Sequence, residues 1–257
     1  MTPSEYDLSK IRLKVIGHGS PPVLLLPGWG GGTSALTTIG QPLSLQREVW
    51  MIALPGFGGS DEPAGDWGSW DYADLLHRWI TAQNRGAPDI IAHSFGGRIA
   101  LALASRYPET TGRMVLIGCA GLIPPKSFST RIKLALSKVS ARFARTVGGK
   151  IGQWIFDRRQ RLGSTDWQNS TPIMRSVMRN ILKEDLSDRL PSILQPVRLI
   201  WGEQDTATPP ILAQRMIQLL PSARLTMIPG TGHFPFLDKK GEVLSAVWDH
   251  LGIKEVW

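Results

Sequence analysis

Six residues, Ala92-His93-Ser94-Phe95-Gly96-Gly97, constrain this chain more than any others, because they join an apolar run at 90–92 to a helical pattern over 99–107. A strand, a sharp turn and a helix then leave the Ser94 hydroxyl at the apex. The helix must pass close to the strand it leaves, which demands small residues beside the turn, and Gly96 and Gly97 supply them. A serine hydroxyl is a weak nucleophile at neutral pH. It needs a histidine as general base and an acid to hold that histidine in the right tautomer.

Both partners occur downstream. The apolar run 197–201 leads into Gly202-Glu203-Gln204-Asp205 and then Pro209-Pro210 at the start of a helical pattern. A second run, 225–228, ends in Pro229-Gly230-Thr231-Gly232 and then His233. Residues just past the carboxyl ends of parallel strands share one edge of an open sheet, where ligand sites form, so Ser94, Asp205 and His233 are expected to converge. Glu203, two residues before Asp205 on the same loop, is the rival acid. His93 is expected to shape the turn rather than act as a base, and His18, His77 and His250 have no motif around them.

Strands are expected near 11–16, 23–26, 49–54, 89–92, 113–118, 196–201 and 224–228, and helices near 34–45, 70–84, 95–107, 210–220 and 240–251. This alternation predicts an α/β fold with a mainly parallel sheet covered by helices on both faces. Between 122 and 190 the alternation stops and the pattern is helical alone. The expected organisation is a core made of 1–121 and 191–257 with a helical cap inserted at 122–190.

The turn at Ser94 resembles the nucleophile elbow G-x-S-x-G of the α/β-hydrolase superfamily, with Ala92 at the first glycine position. Leu26-Pro27-Gly28-Trp29-Gly30 resembles its oxyanion loop, and Leu54-Pro55-Gly56-Phe57-Gly58-Gly59-Ser60 its glycine-rich turn after the fourth strand. The chain order serine, acid, histidine is also the one this superfamily uses. The resemblance spans nearly the whole chain, and within the superfamily it is nearest to small carboxylesterases with a helical cap. It implies Ser94 as nucleophile, His233 as base, Asp205 as the acid picked out by the pattern G-x-x-D, the backbone amides of Trp29 and Phe95 as the oxyanion hole, and no cofactor. The core loops are also similar to those of methyl esterases acting on a carrier-protein-linked acyl chain. C–C bond hydrolases use a similar triad and cap, and a non-catalytic ligand-binding protein can occupy the same fold.

Composition bounds the alternatives. Cys119 is the only cysteine, so no internal disulfide can form; it follows the apolar run 114–117 and is expected to pack as a small hydrophobe. No metal-ligand spacing appears. No apolar stretch reaches 18 residues, so no transmembrane helix is expected, and the polar 1–10 lacks a signal-peptide core, which favours the cytoplasm. The net charge is +8, and 122–190 alone holds 14 Lys or Arg against five acids. Within it Ile132, Leu136, Val139, Phe143 and Val147 share one helical face, while Arg131, Lys138, Arg142 and Arg145 share another. Three readings are open: a solvated face over an apolar roof to the pocket, attraction of an anionic substrate or acidic carrier protein, or contact with an anionic membrane surface. Trp154, Phe156 and Trp167 are expected to line the pocket, which Trp29 narrows. A nucleic-acid partner is not expected, since no binding motif is present.

Overall fold

A computed structural model of the chain describes residues 2–63, 65–123 and 170–254. Seven strands form one sheet: β1 (Leu13–Ile16), β2 (Val23–Leu26), β3 (Val49–Ile52), β4 (Asp89–His93), β5 (Met114–Ile117), β6 (Val197–Gly202) and β7 (Ala223–Ile228). Their order is β1-β3-β2-β4-β5-β6-β7, with β1 antiparallel to β3 and every other pair parallel. The glycine-rich turn at 54–60 follows β3, not a fourth strand, because only β1 precedes β2 in this sheet.

β2 to β5 are apolar along nearly their whole length because both faces of the sheet are covered. Alternate residues belong to opposite cores. Leu24, Leu26, Ile90, Ala92, Leu116 and Leu199 pack under α2 (Ser69–Gln83), α3 (Phe95–Arg106) and α5 (Ile211–Leu219). Val23, Leu25, Ile91, Val115, Ile117 and Ile200 pack under α1 (Thr37–Leu43), α6 (Pro235–Asp238) and α7 (Lys240–Leu251). The helix expected at 34–45 is shorter than its pattern, because tight turns through Ala35 N–H to Gly32 and Thr37 N–H to Ser34 occupy its first residues.

Strand order reverses between β2 and β4, whose carboxyl ends lie side by side. Such a reversal opens a crevice above the sheet. The loop after β2 and the turn after β4 both rise into it, and α3 passes so close to the former that a Cβ on Gly96 would press into the carbonyl oxygens of Leu26 and Pro27.

Of 122–190, the described part contains α4 (Pro172–Ile181), which buries Met174, Val177 and Ile181, and the start of a 3-10 turn, Ser187–Ser192, that runs on into the core. Its two ends meet: Leu186 N–H donates to Gly121, Ile123 N–H to Asp185, and the buried Arg98 of α3 to the Glu184 carbonyl. The amphipathic helix expected around Ile132–Val147 and the pocket aromatics Trp154, Phe156 and Trp167 lie outside the described residues.

Candidate active site

The strand β4 ends at His93 and α3 begins at Phe95, so Ser94 alone makes the turn, with φ 50° and ψ −111°. A non-glycine residue there carries strain of about 1–3 kcal/mol and persists only where its surroundings overdetermine it. Here three backbone hydrogen bonds do so: Ser94 N–H donates to Ile117, and the Ser94 carbonyl accepts from Ala120 and Arg98. The consequence is a hydroxyl raised above the sheet edge on a fixed backbone.

Asp205 and His233 are carried to that edge by β6 and β7. His233 Nδ1 donates to Asp205 Oδ2 at 2.7 Å. The carboxylate is only 3 % exposed, and its other oxygen accepts the N–H groups of Ala207 and Thr208, both at 2.9 Å. The Thr208 hydroxyl stands 2.8 Å from Oδ2 and 3.0 Å from the Gly118 carbonyl. Burial pushes the Asp205 carboxyl up, but the bonds from His233 and Thr208 outweigh it and hold the group below its ordinary value. With Nδ1 engaged, Nε2 is the nitrogen of His233 left for proton transfer.

Ser94 and His233 line one cleft with His93, Trp29, Leu36, Phe234 and Phe236. Its volume of about 240 Å³ exceeds the ~30 Å³ share of a single water several-fold, enough for a short ester group. Its walls are mostly apolar. The loop after β2 presses against the turn: a Cβ on Gly28 would lie 2.8 Å from His93 Nδ1 and 3.4 Å from Ser94 Cβ. Only glycine lets the backbone of residues 28–29 come this near Ser94. The Phe95 amide opens α3, where helical N–H groups have no intrahelical acceptor. The rings of Trp29 and Phe95 are packed edge-on at 5.3 Å, and both lean on Phe57 from the glycine-rich turn, at 4.8 Å and 6.0 Å.

Among the other candidates, Glu203 is exposed and accepts the Gly230 N–H. Cys119 is fully buried against Gly97, and burial pushes its thiol far up, so it packs as a small hydrophobe. His18 is exposed, His77 stacks on Tyr107, and His250 meets the Pro196 carbonyl. His93 does more than shape the turn: its Nε2 lies 2.9 Å from the carbonyl oxygen of His233. Thr208, Phe57 and this His93 bond were not readable as site features in the sequence, for each acts only through a contact made across the fold. Among the described residues no group of His, Cys, Asp and Glu is arranged to hold a metal, and no helix is long and apolar enough to cross a membrane.

His93 is 4 % exposed, and burial, with the nearby His233 second, drops its pKa to about 4. In the unfolded chain it would titrate near 6.5. Below that value the unfolded state takes up a proton that the folded state refuses, so stability is complete above pH ~6.5 and declines until pH ~4. About 2–3 kcal/mol should be lost between pH 7 and pH 4.5. Urea unfolding at both pH values tests this: the loss should exceed that of a His93→Phe variant by that amount, and equal losses would refute it.

The model of the alpha/beta hydrolase family matches residues 23–246, most of the chain. The chain belongs to the α/β hydrolase family. This α/β hydrolase is 28 % identical over 266 residues to a pimeloyl-[acyl-carrier protein] methyl ester esterase of Shewanella woodyi, covering 95 % of this chain and 98 % of the relative. It is 31 % identical over 245 residues to the protein of the same name from Aromatoleum aromaticum, covering 84 % and 92 %. In fold it is similar to a hydrolase of Pseudomonas aeruginosa, with a TM-score of 0.72 at 18 % identity and 94 % of each chain covered. The expectation of a carboxylic ester hydrolase agrees with the names of these sequence relatives.

Proposed function

We propose that this α/β hydrolase cleaves a carboxylic ester through an acyl-enzyme on Ser94. The observation that carries the reading is the short hydrogen bond from the buried Asp205 to His233, which lines one cleft with the strained Ser94. Ser94 Oγ attacks the ester carbonyl as His233 Nε2 takes its proton, and Asp205 stabilises the imidazolium. The amides of Trp29 and Phe95 receive the oxyanion, an arrangement in which each donor contributes about 2.7–4 kcal/mol. The imidazolium returns its proton to the leaving alcohol. A water deprotonated by the same nitrogen then attacks the acyl carbonyl, and the acid departs as Ser94 regains its proton.

The substrate we infer is a methyl ester at the end of an acyl chain borne by an acidic carrier protein. Two things support it: the names of the sequence relatives, and the basic excess within 122–190, which we take to be a helical cap inserted into the core of 1–121 and 191–257. A cationic cap attracts an anionic carrier through long-range charge, a force that salt weakens.

A paired assay separates the ester chemistry from the carrier. Short-chain p-nitrophenyl esters and the methyl ester of a pimeloyl chain on acyl carrier protein should both be hydrolysed. Raising ionic strength from about 0.1 to 1 M shortens the screening length from ~10 to ~3 Å. The KM for the carrier-borne ester should then rise at least tenfold while that for the neutral ester holds. Turnover of neither class would defeat the esterase reading. Turnover of small esters alone, or equal salt response, would defeat only the carrier.

A further inference from the structure

The three residues of the proposed triad are held to very different degrees. The Ser94 backbone is clamped by three hydrogen bonds, and the Asp205 carboxylate by two backbone N–H groups and a hydroxyl. His233 stands on the loop after β7, with Gly230, Thr231 and Gly232 just before it, and its ring meets Asp205 at Nδ1, with the Thr208 hydroxyl 3.3 Å from the same nitrogen. Just before His233 the loop is anchored by Thr231, whose carbonyl accepts from the Gln204 N–H and whose hydroxyl donates to Ile228, but among the described residues the main chain of His233 itself is met by His93. General-base catalysis needs the imidazole within about 2.6–3.2 Å of the nucleophile.

We propose that His93 is a positioning residue whose Nε2–H holds the main-chain carbonyl of His233 and so places the His233 imidazole relative to Ser94. The bond is 2.9 Å long and lies inside the protein. It ties the base to the residue immediately before the nucleophile, across the two strands that separate β4 from β7. The rings of His93 and His233 lie 4.6 Å apart, and Phe234 and Phe236 pack on His93 at 5.1 Å. Those contacts hold the donor in place and keep water from competing for the carbonyl.

The tautomer follows from the surroundings. His93 is neutral at ordinary pH, so it carries one ring proton. That proton must sit on Nε2 to meet the His233 carbonyl, leaving the bare Nδ1 facing Gly28 of the oxyanion loop, where no side chain intrudes. One imidazole therefore touches the turn bearing Ser94, the loop bearing Trp29 and the loop bearing His233. A ring of similar shape without the N–H would fill the space and lose the tie.

This inference rests on the esterase reading, and its test keeps the two apart. The second-order rate of Ser94 modification by a fluorophosphonate is measured for wild type, His93→Phe, His93→Asn and His93→Gln, with the thermal midpoint of each. The side-chain amide of glutamine reaches about as far as Nε2 of histidine, whereas that of asparagine ends near Nδ1. A net hydrogen bond of about 1.4 kcal/mol corresponds to tenfold, so His93→Phe and His93→Asn should react about tenfold more slowly, and His93→Gln within threefold of wild type. That ranking should hold even where the thermal midpoints of Phe and Gln variants coincide, which a role in folding alone would not produce. If Phe reacts as fast as wild type, or Gln no faster than Phe, the positioning role is wrong while the esterase reading stands. If wild-type Ser94 does not react at all, both are wrong.

Discussion

Ser94→Ala is expected to lower ester turnover by about 10⁴–10⁶-fold and to leave the folded protein intact. The magnitude follows from the proposed chemistry, in which no other group forms the acyl bond: Cys119 is buried with its thiol held protonated, so it cannot substitute. The fold survives because alanine keeps Cβ and the three hydrogen bonds that clamp this residue belong to its backbone. Ser94→Gly goes further. It removes the Cβ that makes φ 50° costly, so it should abolish turnover to the same degree yet raise unfolding stability by about 1 kcal/mol. Steady-state kinetics with urea unfolding on both variants checks the pair. Residual activity within a hundredfold of wild type in Ser94→Ala would remove Ser94 from the reaction, and a less stable Ser94→Gly would show that the turn carries no strain.

Asp205→Asn should cost about 10⁴-fold in kcat with little change in KM. The carboxylate uses one oxygen for the N–H groups of Ala207 and Thr208 and offers the other to His233. An asparagine that keeps its oxygen on the two backbone donors must turn its NH₂ toward His233 Nδ1. That nitrogen then becomes an acceptor and the ring proton moves to Nε2, where it blocks removal of the Ser94 proton. Glu203→Gln is the matched control, since Glu203 is exposed and bonded to Gly230; its kcat should stay at the wild-type level. A Glu203→Gln loss as large as that of Asp205→Asn would reassign the acid. An Asp205→Asn variant within tenfold of wild type would dismiss the orienting role.

The choice between those two acids shows where sequence reading stops. Both lie on the loop after one apolar run and both suit a turn, so spacing within the chain does not separate them; the resemblance to a family pattern favoured Asp205. In the structure the two differ: Asp205 is buried with its oxygens turned to His233 and to the loop's own N–H groups, while Glu203 is exposed. Thr208 and Phe57 were unreadable for the same reason. A threonine near a proline pair and a phenylalanine in a glycine-rich turn carry no mark of the partners they meet across the sheet. His93 was legible as a neighbour of Ser94 but not as a donor to residue 233, a contact spanning 140 positions.

The local pattern of residues determined the strands, the helix after Ser94, the turn between them and the order of the three candidate side chains. It could do so because apolar runs, small residues at tight turns and glycine-proline breaks act over a few neighbouring residues. The tertiary structure decided the distances. Strand order brought the ends of β2, β4, β6 and β7 to one edge, and hydrogen bonds there pair Asp205 with His233 and His233 with His93. Those choices depend on directional contacts between segments remote in the chain, which no local pattern encodes.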